Sequence, residues 1–261
     1  MERPKINYLV RLGEIEKQNL EMKIKEIQAK GILSKSKVYD WTINPYVGCQ
    51  HGCVYCYAKF MKRFSGHKEN WGEFVDVKIN APELLEQEIK KKRKGKVWMS
   101  GVCDPYQPVE RKYELTKKCL EILQKNNWPV VIQTKSPLVL RDLDLLKRFQ
   151  QIEVGFTITT GDDKIRKIFE PKAASINERI EVLDKLHQEG VKTYVMIAPI
   201  LAKAESLASK LKGKVDYVII DKMNYHYADW VYKKYQLKKI ETADELASLF
   251  KKEDIPCRIV F

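Results

Sequence analysis

The chain has 261 residues, 44% of them hydrophobic, which is enough apolar material for one large domain or a pair of small ones. Its 48 Lys+Arg against 35 Asp+Glu leave a formal net charge of +13, which favours anionic partners, nucleic acid first. A Lys- and Glu-rich surface is also a habit of heat-adapted proteins, and that reading stands beside the first. The N-terminus lacks the apolar stretch of a secretory signal and no run reaches the roughly 18 apolar residues of a membrane span, so the sequence reads as cytoplasmic and not membrane-bound.

Ile15, Leu20, Met22, Ile24 and Ile27, set among charges, predict a helix over 13–30 stopped by Gly31. A short strand is expected over 38–43, leading directly into a cysteine-rich loop, and a helix over 54–64. Residues 74–80 (FVDVKIN) alternate as a strand does, and Pro82 opens a helix to about 93. A regular rhythm then sets in. Strands over 97–101, 130–134, 153–159, 193–199 and 215–221 alternate with helices over 111–126, 138–149, 162–169, 177–188 and 202–211. Gly190 is placed to end the fourth of these helices. Apolar strands alternating with helices mean parallel β/α units. Counting the strand before the cysteines, six units are legible, with 74–80 outside the count, too few for a comfortably closed eight-stranded barrel.

The chain is organised around residues 44–60, NPYVGCQHGCVYCYAKF, which set Cys49, Cys53 and Cys56 in a C-x3-C-x2-C pattern. Thiolates at such short intervals let a single loop wrap one face of an iron–sulfur cluster. Gly48 and Gly52, each before a cysteine, permit the backbone angles of a tight wrap. No fourth cysteine is near, so one iron would keep an open position. A structural zinc knuckle completed by His51, disulfide pairing, which the lack of a secretory signal argues against, and unrelated thiols are the competing readings. The zinc reading lacks a second knuckle, and the spacing favours the cluster.

C-x3-C-x2-C with Tyr55 just before the third cysteine resembles the radical S-adenosylmethionine superfamily. The longer context, together with SGVCDPYQPVE at 100–110, is similar to the branch related to spore photoproduct lyase, and the likeness spans most of 39–222. The resemblance implies an α/β fold, an open partial TIM-like (β/α)6 barrel. Residues 1–36 would be an N-terminal helical extension, 37–222 the barrel core and 223–261 a closing segment of helix and strand, all one structural domain. It also implies a 4Fe-4S cluster on Cys49, Cys53 and Cys56 and S-adenosylmethionine at the open iron. Tyr55 would lie against adenine, Ser100 and Gly101 would meet the methionine amino group, Lys135 would pair with the carboxylate, and Thr157 and Thr159 would reach the ribose. The reduced cluster would cleave S-adenosylmethionine to methionine and a 5′-deoxyadenosyl radical, which abstracts hydrogen from the substrate. A one-electron donor such as ferredoxin or flavodoxin would supply the electron.

Cys103 is the candidate catalytic residue, because a cysteine returns a hydrogen atom to the product radical in spore photoproduct lyase. Read on its residues alone, Cys103 is a small buried apolar side chain, as are Cys119 and Cys257. The segment 224–235, NYHYADWVYKKY, interleaves aromatics with basic residues. It reads first as an amphipathic helix closing the open barrel side, and second as a surface that stacks nucleic-acid bases. A monomer is expected. The substrate is either a nucleic-acid lesion or another molecule suited to the same barrel; the rival class is a non-catalytic metal-binding nucleic-acid protein.

Overall fold

The computed structural model describes residues 22–222, 226–237 and 243–260. Its first elements are β1 (Lys23–Ile27), β2 (Leu33–Lys35), β3 (Trp41–Ile43) and β4 (Tyr46–Val47). After the cysteine loop come a 3-10 turn over Tyr57–Met61, α1 (Lys62–Ser65), β5 (Phe74–Lys78) and α2 (Ala81–Ile89). The repeating part follows, as β6 (Val97–Met99), α3 (Glu110–Tyr113), α4 (Leu115–Lys125), β7 (Val130–Thr134), α5 (Leu143–Lys147) and β8 (Ile152–Thr157). It continues through α6 (Asp163–Phe169), α7 (Ile176–Gln188), β9 (Lys192–Ile197), α8 (Leu207–Leu211) and β10 (Tyr217–Ile220), and ends with α9 (Asp229–Tyr235), α10 (Ala243–Lys252) and β11 (Cys257–Ile259).

The main sheet has eight strands in the order β11-β10-β9-β8-β7-β6-β3-β2. Each parallel strand pairs with the one before it in the series, and only β2 at one edge runs antiparallel to its neighbour. The edges β2 and β11 do not pair with each other, so the sheet is an open, partial TIM-like barrel. Period-two alternation fixes what each strand presents. Val130, Ile132, Val154, Phe156, Val195 and Ile197 belong to the main apolar core. Their alternates Val131, Tyr194 and Ile219 form a separate inner cluster with Met196 and Tyr217. Gly155 is required by that inner layer. A Cβ there would lie 2.1 Å from the Tyr194 ring, whose hydroxyl donates to Ile132 C=O at 3.2 Å.

A second sheet, β1-β5-β4, contains the strand expected over 74–80 and stands outside the barrel series. Its β1 corrects the expected helix over 13–30. Lys23–Ile27 is a strand in parallel register with β5, and residues 13–21 of that expectation lie outside the described residues. Pairing with β5, whose first four residues are buried, outweighs the helix-like spacing of Ile24 and Ile27. Further boundaries differ, among them the helix expected over 54–64, which is a 3-10 turn at Tyr57–Met61 followed by the short α1. The strand expected over 38–43 is only Trp41–Ile43, since Val38 is exposed in a turn. The helix expected over 111–126 is broken by Glu114 at φ 53°, and the one over 138–149 begins as a 3-10 turn at Pro137–Asp142. Beyond the six expected units, β11 adds a parallel strand to β10, so the closing segment extends the sheet itself. Among the described residues no helix is long and apolar enough to cross a membrane.

Candidate functional site

The cysteine loop leaves β4 at the C-terminal ends of the barrel strands and is folded against the approach to β5. Gly48 sits at φ 91°, where a Cβ would lie 2.4 Å from the Phe74 carbonyl oxygen. Gly72, at φ 101°, comes so close that a Cβ on it would lie 2.7 Å from Gly52 Cα. Only glycine fits these approaches. Within the loop, Gly52 N–H donates to Cys49 C=O and Cys56 N–H to Cys53 C=O, each at 3.2 Å. These turns keep the three thiol-bearing residues on one short arc. Among the described residues no group of three His, Cys, Asp or Glu side chains closes on a point that would suit a single ion. A cubane binds each cysteine at a different iron and does not require that convergence.

The segment 104–110 is the brace of this loop. Gln107 is fully buried, accepts Gln50 N–H at 2.9 Å and donates to Gly48 C=O at 3.2 Å, while Gln50 accepts Val109 N–H at 2.6 Å. Asp104 lies 3.1 Å from His51 Nε2 and accepts from Thr134 Oγ1 and Lys135 N–H, each at 2.7 Å. One carboxylate thus ties the loop to the end of β7. Burial alone would push this carboxyl up, but His51, Thr134 and the Lys135 N–H outweigh it and hold it at about 2. Glu110, also fully buried, accepts from the Tyr46 hydroxyl, from Thr116 N–H at 3.0 Å and from Arg141 at 2.9 Å. His51 is therefore engaged with Asp104 and the Lys172 carbonyl rather than directed toward the cysteines as a metal ligand.

Across the mouth, the last residue of α6 and the one after it grip the loop from the other side. Val54 N–H donates to Phe169 C=O at 2.9 Å, and the Tyr55 hydroxyl donates to the fully buried Glu170. Glu170 also receives Thr159 Oγ1 at 3.3 Å and lies 2.5 Å from Arg179, a completely buried guanidinium on α7. Ser175 fixes the start of that helix through a reciprocal capping box with Glu178. Lys135 Nζ stands 5.7 Å from the centroid of the Tyr55 ring. Burial opposes its charge, but Cys53 as a thiolate and Glu170 outweigh that, and the ammonium is held above its ordinary range.

The sequence-named residues therefore assemble unevenly. Tyr55, Lys135 and Thr159 meet around Glu170, and Thr157, beside them on the inner face of β8, accepts from Gln133 at 2.9 Å. Ser100 is buried at φ 65° with its N–H donated to Ile43 C=O at 2.7 Å, and Gly101 C=O receives the Tyr57 hydroxyl. Cys103 packs against the small core of Tyr46, Val75 and Val77, and its thiol donates to Tyr46 C=O at 3.4 Å. Sequence reading did not assign roles to Gln107, Glu170, Arg179 or Trp71. Gln107 sat inside a quoted motif, but Glu170 and Arg179 lie in ordinary helical surroundings, and a sequence separation of 115 residues hides the tie to Tyr55.

Burial pushes all three loop thiols up, Cys53 to about 12, although Lys135 pulls down on both Cys53 and Cys56. Such thiols stay protonated until a metal displaces the proton. The surroundings fit a thiolate-bound cluster. Lys59 and Lys135 lie within electrostatic reach of Cys53 and Cys56. Near Cys56, Trp71 holds a buried indole N–H with no acceptor in the fold.

Residues 43–205 match the radical SAM superfamily, well over half of the chain. Over 255 residues the chain is 36% identical to an uncharacterized protein of Methanocaldococcus jannaschii, covering 91% of this chain and 96% of that one. Its fold is similar to spore photoproduct lyase complexed with dinucleoside spore photoproduct, at TM-score 0.68 and 16% identity over 93% of this chain and 84% of that one. It is also similar to Streptococcus suis SuiB bound to S-adenosylmethionine, at TM-score 0.54 and 12% identity over 92% of this chain and 51% of that one. With its cysteine loop at the strand ends of an open barrel, the chain belongs to the radical S-adenosylmethionine superfamily and is an enzyme whose cofactors are a 4Fe-4S cluster and S-adenosylmethionine.

Proposed function

We propose that Cys49, Cys53 and Cys56 hold the cluster, that S-adenosylmethionine lies between them and the ends of β6, β7 and β8, and that the substrate is a nucleic acid. The observation that carries the cofactor reading is the meeting of Tyr55, Lys135 and Thr159 beside the cysteine loop. Bound there, the pair of cofactors supplies a primary carbon radical that takes hydrogen from an unactivated C–H bond.

The chain's own residues do the positioning. Lys135, held charged, pairs with the amino-acid carboxylate. Glu170 fixes the Tyr55 ring through its hydroxyl, leaving the ring face for adenine. The Thr157 hydroxyl accepts from Gln133, so its own proton remains for a ribose oxygen. The Gly101 carbonyl is the acceptor for the ammonium, beside the Tyr57 hydroxyl. The inner layer of Val131, Tyr194 and Ile219 floors the barrel and keeps water from below. The placement of Cys103 in a small apolar core supports a packing role for it.

The charge of +13 supports the nucleic-acid reading. So do Phe60, Phe64 and Trp230, which stand exposed on the segment after the loop and on α9, the two linked where Lys59 lies 5.5 Å from the Tyr227 ring. A fold neighbour whose ligand is a dinucleoside photoproduct points the same way.

The test is anaerobic reconstitution with iron and sulfide, then dithionite and S-adenosylmethionine, with chromatography for 5′-deoxyadenosine. The product is expected from the native chain and absent with Cys56→Ala. A colourless protein that binds zinc and forms no 5′-deoxyadenosine would overturn the cofactor reading. Substrate screening then starts from irradiated and modified oligonucleotides. Release of 5′-deoxyadenosine that no oligonucleotide alters would overturn the substrate class.

A further inference from the structure

We propose that Trp71 tunes the electron affinity of the cluster by donating its indole N–H to the Cys56 thiolate, an inference that rests on the cysteine-ligand reading above. Trp71 occupies a built position. It stands in a turn closed by Glu73 N–H on Asn70 C=O at 3.0 Å and by Asn70 N–H on the Glu73 carboxylate at 2.9 Å. Its neighbour Gly72 is pressed against Gly52, and the Gly72 carbonyl is held by Lys172 Nζ at 2.9 Å. The indole meets Phe74 edge-on at 5.9 Å and 84°, which restrains the ring. The turn, the glycine contact and Phe74 thus aim one side chain at the cysteine loop from the β5 side.

That side chain carries a donor with no use elsewhere. Trp71 Nε1 is buried and has no acceptor within the fold, a costly arrangement for an indole N–H. Trp71 is also a side chain that lies beside Cys56, with its donor on the side of that sulfur. A neutral thiol is a weak acceptor, and a metal-bound thiolate is a much better one. An N–H on a ligating sulfur draws charge from the cluster and favours its reduced state, which raises the reduction potential. The step concerned is a one-electron reduction by an external donor. No proton is transferred, and the N–H stays on the indole.

Two variants separate the hydrogen bond from the packing. Trp71→Phe removes the N–H and part of the ring. Replacing Trp71 by β-(3-benzothienyl)alanine keeps the bicyclic shape and removes only the donor. Each protein would be reconstituted anaerobically, assayed for iron and sulfide, and titrated with dithionite under EPR without S-adenosylmethionine. The expected result is wild-type iron content in the benzothienyl protein with a more negative potential. At the potential that half-reduces the wild type, its reduced-to-oxidised ratio should be lower by about tenfold, or about 59 mV for one electron. A benzothienyl protein with the wild-type potential overturns the proposal, whatever Trp71→Phe does. If the wild-type chain itself assembles no cluster, the cysteine-ligand reading fails first and this inference falls with it.

Discussion

Asp104 buries a carboxylate among His51, the Thr134 hydroxyl and the Lys135 N–H, so its charge is supported on every side that the loop and β7 provide. Its carboxyl sits at about 2, below the ordinary range of about 3.9. A depressed carboxyl contributes stability that is present above its unfolded value and is lost as pH falls toward its folded value. The shift corresponds to about 2 kcal/mol. Asp104→Asn should therefore destabilise the apoprotein by about 2 kcal/mol near pH 7. The gap to wild type should close as the pH is lowered from about 5 toward about 2. Urea unfolding of both proteins across that range measures it, and a gap independent of pH would show that Asp104 works by packing alone.

At the scale of elements, the cysteine loop depends on the approach to β5 more than on its own sequence. Gly72→Ala places a methyl 2.7 Å from Gly52 Cα at a φ of 101°, so either the loop or the turn has to move. A loss of about 2–3 kcal/mol is expected, together with reconstituted iron per chain reduced by more than half. Gly66→Ala is the matched comparison. Gly66 also has positive φ, at 69°, but a Cβ there meets nothing within 4 Å. That variant should lose about 1 kcal/mol and keep its iron. Thermal melts and iron assays of the pair separate loop displacement from backbone strain, and equal iron in both would mean that the Gly52–Gly72 approach does not set the loop.

For the whole molecule, the surplus of +13 and the exposed aromatics beside the mouth predict salt-sensitive binding of single-stranded oligonucleotides. If four phosphates are contacted, affinity should fall about fifty-fold between about 50 and about 200 mM salt. Fluorescence anisotropy with a labelled oligonucleotide reads this directly. Trp230→Ala should weaken binding without changing the salt slope, because stacking releases no counterions. Salt-insensitive binding would instead assign the positive charge to general surface solvation.

The local features were legible because their physics is local. Val130, Ile132, Val154 and Phe156 announce buried parallel strands by their own apolarity, Gly190 ends α7 by its own freedom at φ 79°, and Cys49, Cys53 and Cys56 announce a metal loop by spacing. Tyr55 and Lys135 were named from a motif and a strand end, and the fold brings them to one place. What required the tertiary structure was every feature whose partner lies far away in sequence. Lys23–Ile27 looks helical until β5 offers it a strand partner, and 257–259 becomes a barrel strand only beside β10. Glu170 looks like the end of an ordinary helix until the Tyr55 hydroxyl reaches it, and Trp71 like a core aromatic until Gly72 seats it beside Cys56. Propensity and spacing act over a few residues, whereas hydrogen-bond satisfaction and close backbone approach are set by whatever folding brings near.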